Sequence, residues 1–276
     1  MKRFCLALLV SLGLFFVVFL RTDGFSPRLI KGPLLAEQAP PLTPEIEAIL
    51  SQPFHYLNKG RQCFVFASAD GKYVLKLFNQ KYLQTPWYAF FTPEEKVKRM
   101  TRRHYYENSY EIAYRQFGEG IDYLHLGPSD RPLPILALTD RAHRQHAIDL
   151  NSVPFVLQKR GIPFYSGLEA IYQKEGLAGL CREIDAYVEG IEKRIAKQIA
   201  DGDRDVEHNW GYVDGQIFHL DPGRLYYDET LVQPARLQLE WRNATRNFHK
   251  WLKKNYPEGD KYLEKRSLKT ICATVG

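Results

Sequence analysis

The stretch from Asp201 to Arg224 reads DGDRDVEHNWGYVDGQIFHLDPGR and gathers carboxylates and an amide at spacings that suit an oxygen-ligated metal. Asp203 and Asp205 stand just before Asn209. Beyond it, Tyr212-Val213 and Ile217-Phe218-His219-Leu220 read as two short strands turned at Asp214-Gly215, a strong hairpin signal. A hairpin of that length returns its end close to its start. Asp221, in Asp221-Pro222-Gly223, is therefore expected beside Asn209, where the two side chains can offer oxygen to one cation.

A second chemical residue lies far upstream. Lys76 sits in the run Tyr73-Val-Leu-Lys-Leu-Phe, a mid-strand lysine among apolar neighbours. Such a lysine either turns to solvent on the polar face, the more ordinary outcome, or reaches into a cleft. The strands around it are legible. Phe54-His-Tyr-Leu, Cys63-Phe-Val-Phe-Ala and Tyr73 to Phe78 are joined by Lys59-Gly60-Arg61-Gln62 and by Ala69-Asp70-Gly71-Lys72. Asp70-Gly71 is a hairpin signal, and Gly60 lets backbone come close to a ligand.

The remaining elements follow in order. Thr92-Pro93-Glu94-Glu95 is a helix cap, and a helix should run from Glu94 to Phe117. Its early part is basic (Lys96, Lys98, Arg99, Arg102, Arg103), which reads as a solvated face or, more sharply, as a contact for lipid or phosphate. Its later part carries Glu107 and Glu111 four apart on one face. Pro134–Thr139, His146–Leu150 and Val153–Gln158 are further strands, and Lys159 to Pro163 is a hinge. These predict an antiparallel sheet with one inserted helix. A mainly helical part comes next, with a short helix from Gly167 to Lys174 stopped at Gly176 and a long one from Leu177 to Ala200. A further helix runs from about Pro234 to Asn255. Its Trp241, Phe248 and Trp251 read as core packing. The fold class is α+β in two lobes, 45–160 strand-rich and 161–256 helical, with a tail over 257–276 that is polar and loosely held after Lys261.

The N-terminus is apolar from Phe4 to Leu20 except for Ser11 and Gly13, with Lys2 and Arg3 before it. Residues 1–21 therefore read as a single-pass membrane anchor, or as a signal segment that would place the protein outside the cytoplasm if cleaved. Gly24, Pro27, Gly32, Pro33, Pro40, Pro41 and Pro44 make 22–44 a linker. Thr43-Pro44-Glu45 then caps a short helix. The chain has 276 residues and a formal net charge of +6, which favours anionic partners without selecting one. No basic run is interleaved with aromatics, so nucleic acid is not expected. The four cysteines are scattered, with no C-x-x-C, which argues against a zinc site.

The order of a glycine-turned hairpin, a strand with Lys76, a helix with acidic residues, more strands, a hinge, a long helix and then Asn209 and Asp221 resembles the protein kinase-like superfamily in a reduced, divergent bacterial form, over roughly residues 50 to 255. The resemblance implies ATP and Mg²⁺ as cofactors. Lys76 would hold the α- and β-phosphates, Glu107 or Glu111 would position it, and Gly60 and Gln62 would help cover the phosphates. Asp221 stands where the family has Asp-Phe-Gly and would ligate the metal, with Asn209 on a second Mg²⁺. The family places an Asp five residues before that Asn; here position 204 is Arg, so Asp203 or Asp205 would orient the acceptor hydroxyl. The implied function is a membrane-tethered phosphotransferase with an unknown small-molecule, lipid or protein acceptor. The alternative is a pseudokinase or envelope binding module without turnover.

Overall fold

The computed structural model describes residues 19–35, 37–60, 62–84, 91–118 and 120–275, with side chains described as far as Ser267. Most of the apolar run Phe4–Leu20 lies outside these residues. Among the described residues no helix is long and apolar enough to cross a membrane. The architecture is α+β, and the chain divides into two compact units. The first draws on Met1–Arg103 and Ile121–Arg160, and the second on His104–Gly120 and Gly161–Gly276.

In the first unit, helix α1 (Pro44–Leu50) starts where the capping pattern requires. The Thr43 hydroxyl accepts from the Ile46 N–H at 3.3 Å, and Pro44, which has no N–H to leave unpaired, takes the first turn. Strands β1 (Phe54–Lys59), β2 (Cys63–Ser68) and β3 (Tyr73–Phe78) form the expected meander. Gly71, at φ +72°, takes the left-handed position that the β2–β3 turn demands. After α2 (Gln80–Leu83) and α3 (Pro93–Gln116) come β4 (Ile121–His125), β5 (Ile135–Thr139), β6 (Gln145–Asp149) and β7 (Phe155–Lys159).

The seven strands make one sheet in the order β4-β7-β3-β2-β1-β5-β6. It is not wholly antiparallel as the sequence suggested. The β5–β6 hairpin joins through β5, which pairs parallel to β1 with Phe54 opposite Leu138. The long excursion between β1 and β5 makes such a parallel pairing possible. β3 sits in mid-sheet, and every residue from Val74 to Phe78 is buried, so both faces of the strand are covered. Lys76 is accordingly 7% exposed, and the reading of it as a solvated lysine is overturned.

The proline-rich segment is irregular, as its composition demands, yet it is packed. Phe25, Ile30, Ala39 and Leu42 belong to the same buried cluster as Phe54, Phe64, Phe66, Leu75, Phe155 and Leu157. Phe25 meets Phe64 and Phe66 edge to face at 5.1 and 5.2 Å. Asp23 fastens the start of this strap, taking the Tyr56 hydroxyl at 2.6 Å and the Arg141 guanidinium at 2.6 Å, while the Asp23 carbonyl accepts from Lys59 Nζ. Farther on, the N–H groups of Leu35 and Ala39 donate to the carbonyls of Leu126 and Pro128.

The second unit takes the later part of α3, from His104, and then β8 (Ile162–Pro163) and a long helix, α4 (Phe164–Ala196), interrupted at Gly176, whose φ of 64° and ψ of −150° no helix accommodates. Leu180, Ile184, Tyr187, Val188 and Ile191 then recur at helical spacing into a core with Phe164, Trp241, Phe248 and Leu252. Next come β9 (Ile199–Asp201), α5 (Val206–Asn209), β10 (Trp210–Val213), β11 (Gln216–His219), β12 (Leu225–Tyr227), α6 (Pro234–Asn255) and α7 (Pro257–Val275). The expectation of a loose tail is corrected by α7. Pro257 ends one helix but also begins the next, and Leu263 is fully buried in the core.

Candidate functional site

The site candidates of the second unit hang on a hairpin and a loop. β10 and β11 pair from Trp210↔His219 to Val213↔Gln216, which leaves Asp214 and Gly215 as a two-residue turn. Both have positive φ, 51° and 79°, the requirement of a type I′ turn. The hairpin does what its length demands: the Asp221 N–H donates to the Asn209 carbonyl at 3.2 Å. Asn209 is buried at 6% exposure, and Asp221 is half-buried. The Asp221 carboxylate also accepts from the hydroxyl of Tyr110, a residue of α3 that is 1% exposed, with an oxygen–oxygen distance of 2.8 Å.

The acidic run before Asn209 builds its own loop. Asp201 Oδ1 accepts the Asp203 N–H at 2.8 Å, Asp203 Oδ1 accepts the Asp205 N–H at 3.1 Å, and Asp205 Oδ1 accepts the His208 N–H at 3.2 Å. Each carboxylate thus satisfies a backbone donor just ahead of it, the local bonding that short acidic side chains do best. The last of these bonds caps α5, and the other oxygen of Asp205 lies 2.9 Å from His208 Nδ1. Asp205 is therefore committed at both oxygens. Asp203 is bound through one oxygen, and its other lies 3.9 Å from Arg224 Nε, with Arg224 exposed and Asp203 half-buried.

Beneath the loop is a buried charge network. Glu240, 2% exposed, takes Arg194 Nη1 at 2.7 Å and the Asp201 N–H at 2.9 Å on one oxygen, and Arg236 Nη1 at 3.0 Å on the other. Arg236 also bonds Asp228 at 2.9 Å. The Asp201 carboxylate lies 3.2 Å from His219 Nε2, an ion-pair distance without hydrogen-bond alignment. Burial opposes ionisation of Asp201. His219, Arg194 and the Asp203 N–H outweigh it and hold the carboxyl below its ordinary pKa.

Both helix carboxylates are half-buried, and Glu111 bonds Arg115 at 2.8 Å on the same helix. Lys76, Gly60 and Gln62 belong to the first unit, on β3 and in the β1–β2 turn. The Gly60 N–H donates to the Cys63 carbonyl at 3.0 Å, and the Gln62 carbonyl accepts from the Asn79 N–H at 2.6 Å. A Cβ added at Gly60 would meet nothing nearer than 3.8 Å, so the turn itself does not require glycine there. Arg61 lies outside the described residues. Among the described residues no three His, Cys, Asp or Glu side chains converge as a metal cage.

Sequence reasoning missed Tyr110 and Glu240. Nothing in the spacing pairs either with the acidic stretch, since both arrive from distant helices. The alternating Asp201-x-Asp203-x-Asp205 was a legible signal of a side-chain-bonded loop. No protein-family model matches this sequence, and a search of curated proteins finds no significant relative.

Proposed function

We propose that the protein is a kinase-like phosphotransferase that binds ATP–Mg²⁺ and passes phosphate to an acceptor still to be identified. The observation that carries this reading is the meeting of Asn209 and Asp221 at the open end of the β10–β11 hairpin, with Tyr110 fixing one side of the Asp221 carboxylate. The order of elements supports it: a buried lysine on the third strand, a long helix with Glu107 and Glu111 next, and the acidic loop before the hairpin.

The donor set fits the cation. Asn209 and Asp221 are hard oxygen donors, few in number, and Mg²⁺ completes its shell with water and nucleotide phosphates rather than with a protein cage. Bound there, the cation would neutralise charge on the transferring phosphoryl. The chain's own residues position and shield. Lys76 supplies a compact cation for the phosphates, and the resemblance offers Glu107 or Glu111 as its orienting carboxylate. Asp203, the acid of the loop with the freer geometry, orients the acceptor hydroxyl and takes its proton.

A second reading has its own observation. At the family's five-residue spacing before Asn209 stands Arg204, and Asp205 is consumed as a helix cap. That pattern favours a pseudokinase, a binding module without turnover. A γ-phosphate transfer and ATPase assay with Mg²⁺ or Mn²⁺ decides, run on wild type and Asp221→Ala beside an ATP–Mg²⁺ thermal-shift titration. Turnover abolished in the variant supports the enzyme. A thermal shift without turnover supports the binding module. Absence of both refutes the nucleotide reading, because a ligand that binds the native state must stabilise it.

A further inference from the structure

The first half of α3 divides its charges by face. The arginines turn inward. Arg99 bonds Glu95 at 2.7 Å and the Lys81 carbonyl at 2.6 Å, and Arg103 bonds the Pro33 carbonyl at 3.2 Å. They spend their donors on protein oxygen, against the end of α2 and against the strap. The opposite face carries Val97 at 63% and Met100 at 58% exposure, three apart on one side of the helix. Phe91, just before the helix, is 75% exposed. Lys96 and Lys98 flank Val97 and are exposed, Lys98 standing 4.0 Å from Glu95.

Exposed apolar side chains beside a surplus of basic residues are the pattern of an element that lies in the plane of a bilayer interface. Two further observations select lipid as the occupant. Over 94–103 five basic residues outnumber the two acidic ones, Glu94 and Glu95, a surplus that complements an anionic headgroup layer and would repel a basic partner. The strap that Arg103 grips at Pro33, and that Gln84 bonds at the Lys31 carbonyl at 2.9 Å, continues back within the same unit to Phe19. The apolar run Phe4–Leu20 ends there.

We infer that Phe91, Val97 and Met100, with Lys96 and Lys98, form a second membrane contact that docks the first unit flat on an anionic lipid surface. This rests on the anchor reading of Phe4–Leu20 for its proximity but not for its chemistry. Docking orients the folded body relative to the bilayer, where a tether alone would only retain it.

The test uses the full chain with Met100→Cys carrying an environment-sensitive NBD dye, the unsubstituted chain labelled identically supplying the cysteine background. Vesicles are phosphatidylcholine with or without phosphatidylglycerol, each with or without doxyl-labelled lipid. The expected result is quenching by doxyl lipid in the anionic vesicles, relieved by high salt. Replacing Lys96 and Lys98 by Gln should shift the docked-to-undocked ratio about thirty-fold, about 1 kcal/mol for each lysine. Flotation with neutral vesicles reads the anchor separately. A chain that floats while its dye stays unquenched keeps the anchor and overturns the docking surface. A chain that binds only anionic vesicles, with quenching, loses the anchor and keeps the surface. A blue-shifted dye that doxyl lipid does not quench means that protein covers this face, and it overturns the inference.

Discussion

Replacing Glu240 by Ala tests the network under the acidic loop. The wild-type carboxylate compensates Arg194, which is 4% exposed, and receives the Asp201 N–H. In the variant, the Arg194 guanidinium keeps the Ile199 carbonyl at 2.7 Å, while its Nε has no hydrogen-bond partner to begin with. Water cannot easily reach it. Removing one partner of such a buried pair costs about 3–5 kcal/mol, most of it the penalty of the stranded charge. Removing both charges should restore part of the loss, because the double variant Glu240→Leu/Arg194→Leu no longer strands Arg194, while Arg236 keeps Asp228 and Asp201 keeps His219 as partners. The assay is urea unfolding followed by tryptophan fluorescence. Trp210, Trp241 and Trp251 all lie in the second unit, so its transition dominates the signal. A Glu240→Ala loss below about 1 kcal/mol, or a double variant no better than the single, would refute the reasoning.

Two more outcomes follow from particular contacts. A Cβ at Gly127 would collide with the backbone carbonyl of Glu37, so Gly127→Ala should push the strap outward and cost about 1–3 kcal/mol, read as faster proteolysis between Leu29 and Leu42 at unchanged cleavage elsewhere. His125 is fully buried between Tyr123 and Phe155, and burial pushes its pKa below 6.5 despite the bond between Nδ1 and the Val153 carbonyl. The unfolded chain therefore binds this proton first, and stability should fall as pH drops below about 6.5, by at most about 1.4 kcal/mol per pH unit. Urea titrations at several pH values should show that slope reduced in His125→Phe; equal slopes in the two proteins would remove His125 as its source.

Turn chemistry and helical period were legible in the sequence because they are local. Asp70-Gly71 and Asp214-Gly215 could hardly fold otherwise, and Gly176 breaks its helix through its own backbone. The approach of Asp221 to Asn209 followed from hairpin length alone. What stayed hidden depended on distant partners. β4 is a short strand with a polar Asp122 inside it, and only its pairing to β7 defines it. Phe25, Ile30, Ala39 and Leu42 recur at no fixed period, so nothing but the core that receives them distinguishes a strap from a linker. Pro257 carries two meanings, and the stop was easier to read than the start. The burial of Lys76 required knowing that β3 lies in mid-sheet rather than at its edge.

The strap extends the core of the first unit upstream of Pro44. A version for biochemistry trimmed to Pro44, the boundary that its proline content invites, would strip four apolar side chains from the core and uncover Phe64 and Phe66. Fully burying a Leu, Ile or Phe is worth about 1.5–3 kcal/mol, so that cut removes an amount comparable to the whole stability of an ordinary domain. Such a fragment should aggregate for reasons unrelated to any site chemistry. A fragment starting at Phe19 keeps these four side chains and the core they complete among the described residues.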